Sequence, residues 1–377
     1  MRVLHVIPSV EERSGGPAAA IVPMCRALRD RGVDVVLATT DHGFSPNEAN
    51  FEGDYKGVPA RFFPVQFGES FKYSRPFAAW LRDNVCAFDL VHVHAVFNHA
   101  CVAAAAACRD AGVPYVVRPL GTLDPWSMKQ KSLQKRIFWT LTGRRMLQSS
   151  AAVHYTAVAE KEATEKYLGL NHGRVIALGV EAKPDLNGFK SAAYPPNPYV
   201  LSLSRLHPKK GLDVLIDAFL SREPDAWRLV IAGDGPPEYV SLLKKRACDR
   251  AGGSERIVFT GWVEGERKER LLRGASLFAL PSYQENFGLS ALEAMAHGVP
   301  VLVTPEVNLA PEIETAKAGW VIGREDLGWG LDGLIKDESD LSKRGEEAYE
   351  FAKRYSWEKT AADLINLYEE CSTRSHR

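Results

Sequence analysis

Two glutamates, Glu285 and Glu293, are separated by seven residues, and Gly288 stands between them. Glycine has no Cβ, so a bulky anion can approach the backbone closely at that point. If a helix begins there, its first N–H groups are unpaired and attract an anion. A carboxylate about one turn further along can accept hydrogen bonds from a ribose beside the bound phosphate. Glu285 would then meet whatever group the phosphate carries.

Short apolar segments on both sides of the two glutamates indicate the elements that position them. Residues 276–282 and 299–304 are typical of buried strands. Apolar residues recur at helical spacing from Leu289 to Ala296, and a glycine and a proline follow. We therefore predict a strand, a loop that contains Glu285, a helix and a second strand.

This spacing, in its strand–helix–strand context, resembles the Glu-x7-Glu motif of retaining glycosyltransferases with the GT-B fold, and within them family 4 (group 1). The resemblance implies that Glu285 binds hydroxyls of the donor sugar and that Glu293 binds the ribose. The backbone that it assigns to the diphosphate is that of Asn286, Phe287, Gly288 and Leu289. Two glutamates eight residues apart also occur by chance, as solvated carboxylates at helix ends, but the whole context is far less common.

Two cations follow the predicted strand at residues 199–205. Arg205 and Lys210 resemble the family's Gly-Arg-Leu…Lys-Gly segment, with Ser204 in place of the usual glycine. Fixed cations of this kind neutralise a departing diphosphate through charge-assisted hydrogen bonds. The alternative is an ordinary surface arginine and lysine. We predict that Arg205, Lys210 and Glu285 form the catalytic group.

The sequence shows no Asp-x-Asp in a strand-end loop and no metal-ligand spacing. We therefore predict no metal and no cofactor beyond the donor, a UDP- or GDP-sugar. Gly233 and Gly235 alone would be a weak dinucleotide fingerprint, but Glu238 stands where the third glycine belongs, so we reject that interpretation. Gly233 is assigned to the donor instead.

The first part of the chain begins with a predicted strand at 3–7, a helix at 18–31 and a strand at 33–39, which predicts a parallel sheet. Gly15 and Gly16 follow the first of these strands, where open α/β sheets bind ligands. A plain tight turn is the alternative. The resemblance favours contact of Gly16 with the donor and of Gly15 with the acceptor.

Three further residues are candidates for the acceptor side. His94 ends a predicted strand at 89–94, His99 follows in the next loop, and Arg118 ends a strand at 114–118. Because His94 is in phase with His92, one of the two is equally well explained as a core histidine. Many relatives carry a histidine where this chain has residues 119–121, Pro-Leu-Gly, and this departure leaves no such histidine here.

The length of 377 residues suggests two or three domains at ~150 residues each. A proline-rich stretch at 183–198 reads as the linker. We predict two facing Rossmann-like βα domains of GT-B type: 1–185 plus 356–377 on the acceptor side, and 186–355 for the nucleotide sugar. A final amphipathic helix at 356–370 would cross back to the first domain.

Composition bears on nucleic-acid binding, secretion, membrane insertion and disulfide bonding. Lys plus Arg and Asp plus Glu are both 47, so net charge gives no hint of nucleic acid. The first apolar run is too short for a signal peptide, and none approaches the ~20 residues of a membrane span. The six cysteines are scattered, as in a reduced protein. We expect a cytoplasmic protein.

Residues 126–159, here called the basic segment, contain no aspartate or glutamate. Six cations lie in this segment: Lys129, Lys131, Lys135, Arg136, Arg144 and Arg145. Leu133, Ile137 and Leu141 keep an i, i+4 spacing, which predicts a helix. A core helix with a solvated basic face is one interpretation. The other is contact with anionic lipid or a phosphate-bearing acceptor, with Phe138, Trp139 and Leu141 entering the headgroup layer.

The resemblance implies transfer of a hexose with retention of anomeric configuration to a glycan or lipid-linked acceptor, in cell-envelope or exopolysaccharide synthesis. The family offers no convincing carboxylate nucleophile, so a front-face route is favoured. Three alternatives remain open: a GT-B sugar-nucleotide epimerase, a non-catalytic sugar-nucleotide-binding protein, and a two-lobed solute-binding protein, which would normally need a secretion signal.

Overall fold

The computed structural model describes residues 1–44, 52–129, 132–182, 198–223, 226–249 and 253–374. The predicted linker at 183–198 lies outside the described residues, apart from Pro198. The chain divides into two compact units. The first unit is Met1–Gly179 with Trp357–Arg377, and the second unit is Val180–Ser356.

The first unit is built on a sheet of eight described strands in the order β3-β4-β2-β1-β5-β6-β7-β8. All neighbours are parallel except β3 and β4, which form an antiparallel pair. The strands are β1 Arg2–Val6, β2 Asp34–Thr40, β3 Glu52–Tyr55, β4 Val58–Phe63, β5 Leu90–His94, β6 Tyr115–Arg118, β7 Ala152–Tyr155 and β8 Gly173–Val175. The inner strands are apolar on both faces because helices cover both sides of a parallel sheet.

The helices of the first unit include the last helix of the chain. They are α1 Gly16–Asp30, α2 Arg75–Asn84, α3 His99–Ala111, α4 Pro125–Lys129, α5 Ser132–Phe138, α6 Arg144–Gln148, α7 Val158–Leu168 and α16 Trp357–Arg374, with a π-helical turn at Trp139–Gly143. Helix α16 packs against α1. Leu364 and Tyr368 are fully buried there, and the Thr360 hydroxyl donates to the carbonyl of Ala177 at 2.9 Å.

The second unit has a fully parallel sheet of six described strands, in the order β11-β10-β9-β12-β13-β14. The strands are β9 Tyr199–Leu203, β10 Arg228–Ala232, β11 Ile257–Gly261, β12 Leu277–Leu280, β13 Val301–Val303 and β14 Gly319–Val321. The helices are α8 Leu212–Leu220, α9 Pro237–Cys248, α10 Gly253–Arg256, α11 Gly265–Gly274, α12 Leu289–Met295, α13 Ala310–Thr315, α14 Leu327–Ile335 and α15 Glu338–Ala352. The predicted pair of parallel α/β units is confirmed.

Among the described residues, no helix combines the length and the apolar character that crossing a membrane requires. All six cysteines fall within the described ranges and are free thiols.

Candidate functional site

The loops after β9 and β12 bring Lys210 and Glu285 together. Lys210 ends a 3-10 turn at Pro208–Lys210, and Glu285 lies in the loop that follows β12. The Lys210 ammonium donates a hydrogen bond to Glu285 Oε2. Both side chains are largely buried, with 15% and 18% of their surface exposed. The structure thus pairs two of the three residues that the sequence predicts to be catalytic.

The charge environment keeps Glu285 ionised. Burial by itself raises the pKa of Glu285, but the charge and hydrogen bond of Lys210, with Lys209 and Arg205 nearby, hold that pKa below its ordinary value. Arg205 is exposed two residues beyond β9. Three cations therefore act on one carboxylate, and Arg205 among them is exposed to solvent.

Backbone hydrogen bonds fix the loop that carries Glu285. The amide of Glu285 donates to the carbonyl of Glu306 at 3.0 Å, and its carbonyl accepts from the amide of Asn308 at 3.1 Å. The Asn308 side-chain amide also donates to the carbonyl of Asn286 at 3.0 Å. Because both sides of the loop are bonded to residues 306–308, the position of Glu285 is held without help from its own side chain.

The turn that carries Lys210 is fixed in a similar way. The His207 Nδ1 atom caps the turn by accepting the Lys209 amide at 3.1 Å, and the Lys209 carbonyl accepts the Tyr283 amide at 2.8 Å. A Cβ on Gly211 would lie 2.2 Å from the carbonyl oxygen of Pro281, so only glycine fits there. Burial and the charges of Arg205, Lys209 and Lys210 lower the pKa of His207.

The predicted donor residues after Glu285 take different environments. Gly288 caps α12 with φ 85°, in the left-handed region, which favours glycine. Phe287 is buried and its ring packs edge-on against Tyr355, and the predicted contact of its backbone with the donor stays a prediction. Leu289 is half-buried at the first position of α12. Helix α12 has only seven residues. The prediction of a diphosphate site therefore depends more on the cations Arg205 and Lys210 than on the N-terminus of this helix.

Glu293 lies in the second turn of α12 and pairs with Lys268 of α11 at 2.7 Å. Gly233, the other predicted donor residue of the second unit, has a φ of 134°. A Cβ there would lie 1.9 Å from the carbonyl oxygen of Ser204, so the approach of two loops already requires a glycine. Its contact with a donor stays a prediction.

Gly15, Gly16 and His99 lie at helix starts in the first unit. Gly15 caps α1, Gly16 is its first residue, and a Cβ on Gly16 would meet open space. His99 is the first residue of α3, and its Nδ1 atom accepts the Ser74 amide at 3.2 Å. Burial lowers the pKa of His99. The ligand contacts expected of these residues stay predictions.

His94 and Arg118 are completely buried, side by side on β5 and β6. His94 Nε2 and His5 Nδ1 share a hydrogen bond of 2.9 Å. The Arg118 guanidinium touches the sulfur of Met24 at 3.9 Å, and its Nε and Nη2 atoms have no partner among the described residues. Burial, with Glu160 opposing, lowers the pKa of Arg118 to about 10. The acceptor role of both residues stays a prediction.

His94 belongs to a group of four buried histidines, here called the histidine cluster, formed by His5, His92, His94 and His154. His154 Nε2 lies 2.8 Å from the carbonyl oxygen of Ile176, so it donates, and His154 Nδ1 then accepts from His92 Nε2 at 3.3 Å. His92 Nδ1 is left to accept the Tyr368 hydroxyl at 2.7 Å. This hydrogen-bond chain requires neutral rings.

The histidine cluster also has the spacing of a metal site, because ligand atoms of His5, His92 and His94 lie within 4.8 Å of one another. However, both ring nitrogens of His92 are already engaged in hydrogen bonds. The positive charge of the buried Arg118 also acts on these rings and would repel a metal cation bound there. These two observations favour a hydrogen-bonded core over metal ligation.

Sequence reasoning missed several residues of these sites. Lys268 has no motif around it, and only the packing of α11 on α12 brings it to Glu293. Tyr368 meets His92 across 276 residues of sequence. The alternation of His92 and His94, in register with His5 on the neighbouring strand, was the available signal for the cluster.

Both units match models of known protein families. Residues 185–351 match "Glycosyl transferases group 1", and residues 15–180 match "Glycosyl transferase 4-like domain". A D-inositol 3-phosphate glycosyltransferase of Catenulispora acidiphila is 32% identical over 239 residues, 58% of this chain and 56% of the relative. A GDP-mannose:cellobiosyl-diphosphopolyprenol alpha-mannosyltransferase of Xanthomonas oryzae is 25% identical over 384 residues, 98% of this chain and 97% of the relative.

The fold is also that of a solved structure, HepE of Anabaena in complex with UDP-glucose, with a TM-score of 0.77 at 21% identity over 97% of this chain and 99% of that one. The chain spans about half the length of its first curated relatives, 44% and 56% for two of them. Since each unit matches a glycosyltransferase model and the two units share a GT-B architecture, the chain belongs to the group 1 glycosyltransferases.

Proposed function

We propose that this chain transfers a hexose from a nucleotide-diphosphate sugar to a glycan or lipid-linked acceptor, with retention of anomeric configuration and without a metal. The observation that carries the proposal is the contact of Lys210 with Glu285, with Arg205 and Lys209 acting on the same carboxylate. This arrangement offers a carboxylate to sugar hydroxyls and the cations Arg205 and Lys210 to a diphosphate.

In the proposed reaction, the bond between the anomeric carbon and the diphosphate oxygen breaks while Arg205 and Lys210 stabilise the growing phosphate charge. A hydroxyl of the acceptor forms the new bond on the same face, and its proton passes to the leaving diphosphate. Glu285 orients the sugar and does not attack it. The cations supply charge compensation that a metal ion gives in other transferases, so we expect turnover to survive EDTA.

The donor is a UDP- or GDP-sugar in this proposal. The Xanthomonas oryzae relative, which aligns with this chain over nearly its whole length, is named for GDP-mannose, and the HepE structure contains UDP-glucose. A thermal-shift panel of UDP-glucose, UDP-galactose, UDP-N-acetylglucosamine and GDP-mannose tests it. A true donor at 100 times its Kd stabilises the fold by ~2.7 kcal/mol. If none of the four shifts the transition, the chain is not a transferase of this donor class.

A turnover assay distinguishes the proposed transferase from an epimerase and from a non-catalytic binding protein. With the donor that binds, an NMR assay with added saccharide and polyprenyl-diphosphate saccharide acceptors is expected to show an α-linked product from an α-linked donor. Interconversion of the nucleotide sugar without acceptor would instead identify an epimerase. Tight binding with neither reaction would identify a non-catalytic binding protein.

A lipid-linked acceptor is favoured by the surface of the basic segment. Leu133, Ile137 and Leu141 expose 71%, 52% and 75% of their surface, although they keep helical i, i+4 spacing. The expected headgroup role of Phe138 and Trp139 does not fit, because both pack against the core of the first unit. The three aliphatic residues form an apolar stripe whose side chains lie in solvent.

Exposed cations lie in the same segment as this stripe. Lys129, Arg136, Arg144 and Arg145 are exposed, and none of the four forms an ion pair with a described residue. Lys135 instead donates to the Ser127 carbonyl at 2.6 Å and lies over the ring of Phe97, while Lys131 is outside the described residues. An anionic lipid surface matches both the stripe and the charges, at ~1 kcal/mol per cation. We propose peripheral contact with such a surface.

Co-sedimentation tests this contact with vesicles of phosphatidylcholine alone and with added phosphatidylglycerol, at low and high salt. We expect binding that needs the anionic lipid, weakens with salt, and is lost when Leu133, Ile137 and Leu141 become Gln. Leu242→Gln, at an exposed leucine of the second unit with 56% exposure, is the control and should leave binding unchanged. Failure to bind anionic vesicles at low salt would remove the proposal and favour a soluble phosphate-bearing acceptor.

A further inference from the structure

A lysine outside every recognised motif holds one of the two motif glutamates. The Lys268 ammonium of α11 donates to Glu293 Oε1 at 2.7 Å. The two side chains are 26% and 24% exposed, so the pair lies at the edge of the unit and not deep inside it. Glu293 Oε2 accepts no hydrogen bond from the described part of the chain. One oxygen is thus fixed and the other is available to a ligand.

Docking of the two helices does not depend on this pair. The next residue of α11, Glu269, places its Oε2 atom 2.9 Å from His297 Nε2, and His297 Nδ1 lies 2.8 Å from the carbonyl oxygen of Glu293. These contacts join α11 to the end of α12 through the ring of His297. Lys268 therefore adds a charge beside the Glu293 carboxylate where a structural connection already exists.

That charge matters if a nucleoside diphosphate binds here. A carboxylate near a diphosphate is repelled by it, and a fixed cation offsets the repulsion. A carboxylate held by one oxygen also loses less rotational freedom when the other oxygen accepts a hydroxyl. Both effects act on binding of the ribose.

We propose that Lys268 is a positioning residue for the donor: it fixes the Glu293 carboxylate for the ribose hydroxyls and offsets its charge beside the diphosphate. This inference rests on the proposed function, in which Glu293 receives the ribose. It deepens that proposal by naming a second residue, on a different helix, that decides how much the ribose contributes to affinity.

The experiment is titration calorimetry with UDP and GDP and with their 2′,3′-dideoxy counterparts, which lack the hydroxyls in question. Lys268→Met should weaken binding of the hydroxylated nucleotide by about tenfold, because a charge-assisted contact is lost. The dideoxy nucleotide should lose much less. Lys268→Arg should restore the difference, and the loss should appear in KM for the donor while kcat stays nearly constant.

Glu269→Gln is the matched control, because it removes the charge from the neighbouring α11–α12 contact and leaves Glu293 and Lys268 intact. It should leave the difference between hydroxylated and dideoxy nucleotides unchanged. Equal losses for both nucleotides in Lys268→Met, or the same pattern in Glu269→Gln, would overturn the inference and leave Lys268 a helix-packing residue. If the wild-type chain binds neither UDP nor GDP, the proposed function itself fails, which is a different result.

Discussion

Each unit places titratable and charged side chains at the ends of parallel strands, yet the two groups end in opposite environments. In the first unit, His94 and Arg118 are completely buried. In the second unit, Arg205 is exposed and Lys210 and Glu285 remain partly open to solvent. The same sequence signal therefore produced a buried core in one unit and a partly exposed group of charged side chains in the other.

The difference comes from what covers the strand ends. Helix α16 packs against β5, which carries His92 and His94, and Tyr368 of α16 supplies the hydroxyl that His92 Nδ1 accepts. Burial then makes a charged imidazole costly, and the pKa values of His5 and His154 fall to about 3. In the second unit the fixed loops hold Lys210 against Glu285, and ionisation is favoured there. Buried groups of the first kind stabilise a fold, while ion pairs of the second kind can exchange partners with a ligand.

The largest effect is expected from Glu285→Gln. It should abolish transfer while binding of UDP or GDP stays nearly unchanged, because the carboxylate contacts the sugar in our account. Donor turnover and calorimetry measure the two quantities. Glu338→Gln, an exposed glutamate at the start of α15, is the control. Wild-type turnover in Glu285→Gln would show that Glu285 does not act on the sugar.

The second largest effect is expected from the loss of either Arg205 or Lys210. Arg205→Ala and Lys210→Ala are each expected to lower kcat by about 100- to 1000-fold, since the diphosphate charge grows as the glycosidic bond breaks. Steady-state kinetics in the presence of EDTA provide the measurement, and Lys336→Ala, an exposed lysine of the same unit, is the control. Near-normal kcat in both variants would argue against the cation assignment.

The histidine cluster should make the first unit sensitive to acid. Each ring is neutral in the fold with a lowered pKa, and it takes up a proton near pH 6.5 once unfolded. The unfolded state then binds more protons, so stability is retained above pH 6.5 and decreases as the pH falls from there towards about 3. The decrease approaches ~1.4 kcal/mol per pH unit for each histidine.

Urea unfolding at pH 7, 6 and 5, followed by hydrogen-exchange labelling at one fixed pH, reports the two units separately. Strands β1, β5 and β7 should lose protection at lower urea as the pH falls, and α16 should follow them because Tyr368 bonds to His92. Arg118 and Cys25 also act on this region, but Arg118 keeps its charge and Cys25 stays a neutral thiol between pH 7 and 5, because the pKa of Arg118 is about 10 and burial raises that of Cys25. Identical midpoints at pH 7 and pH 5 would contradict neutral burial of the cluster.

A smaller effect is expected from Tyr368→Phe. It leaves His92 Nδ1 buried without a donor, which costs about 1–3 kcal/mol of unfolding free energy in the first unit. Tyr167→Phe, at 53% exposure in α7, is the matched control and should change stability by less than about 0.5 kcal/mol. Nucleotide binding should be unchanged in both. A variant as stable as the control would break the proposed hydrogen-bond chain.

The spacing of apolar residues and the positions of glycine and proline predicted much of the fold. The buried strands of both sheets and the last helix follow from apolar runs, because both faces of a parallel strand are covered. The β3–β4 pair was missed since β3 is exposed on nearly all its residues and carries no apolar pattern. The spacing of Leu133, Ile137 and Leu141 left two interpretations open, a core face and a lipid-contacting face, because spacing alone cannot say which side of a helix meets solvent.

In the candidate site, too, some contacts were predictable from the sequence and others were not. Glu285 and Lys210 were predicted separately from local motifs, and their contact follows from two adjacent strands, β9 and β12. Lys268 was not predictable, because its contact depends on how α11 lies on α12. Contacts that local motifs determine were accessible from sequence, while contacts made by the packing of separate helices were not.

The central claim is that the cations of the second unit bind a diphosphate. The most direct test is the difference in affinity between UDP and UMP, or between GDP and GMP, measured by calorimetry for the wild type and for Arg205→Ala/Lys210→Ala. We predict a large preference of the wild type for the diphosphate that collapses in the double variant and persists in Lys336→Ala. An unchanged preference in the double variant would contradict the claim.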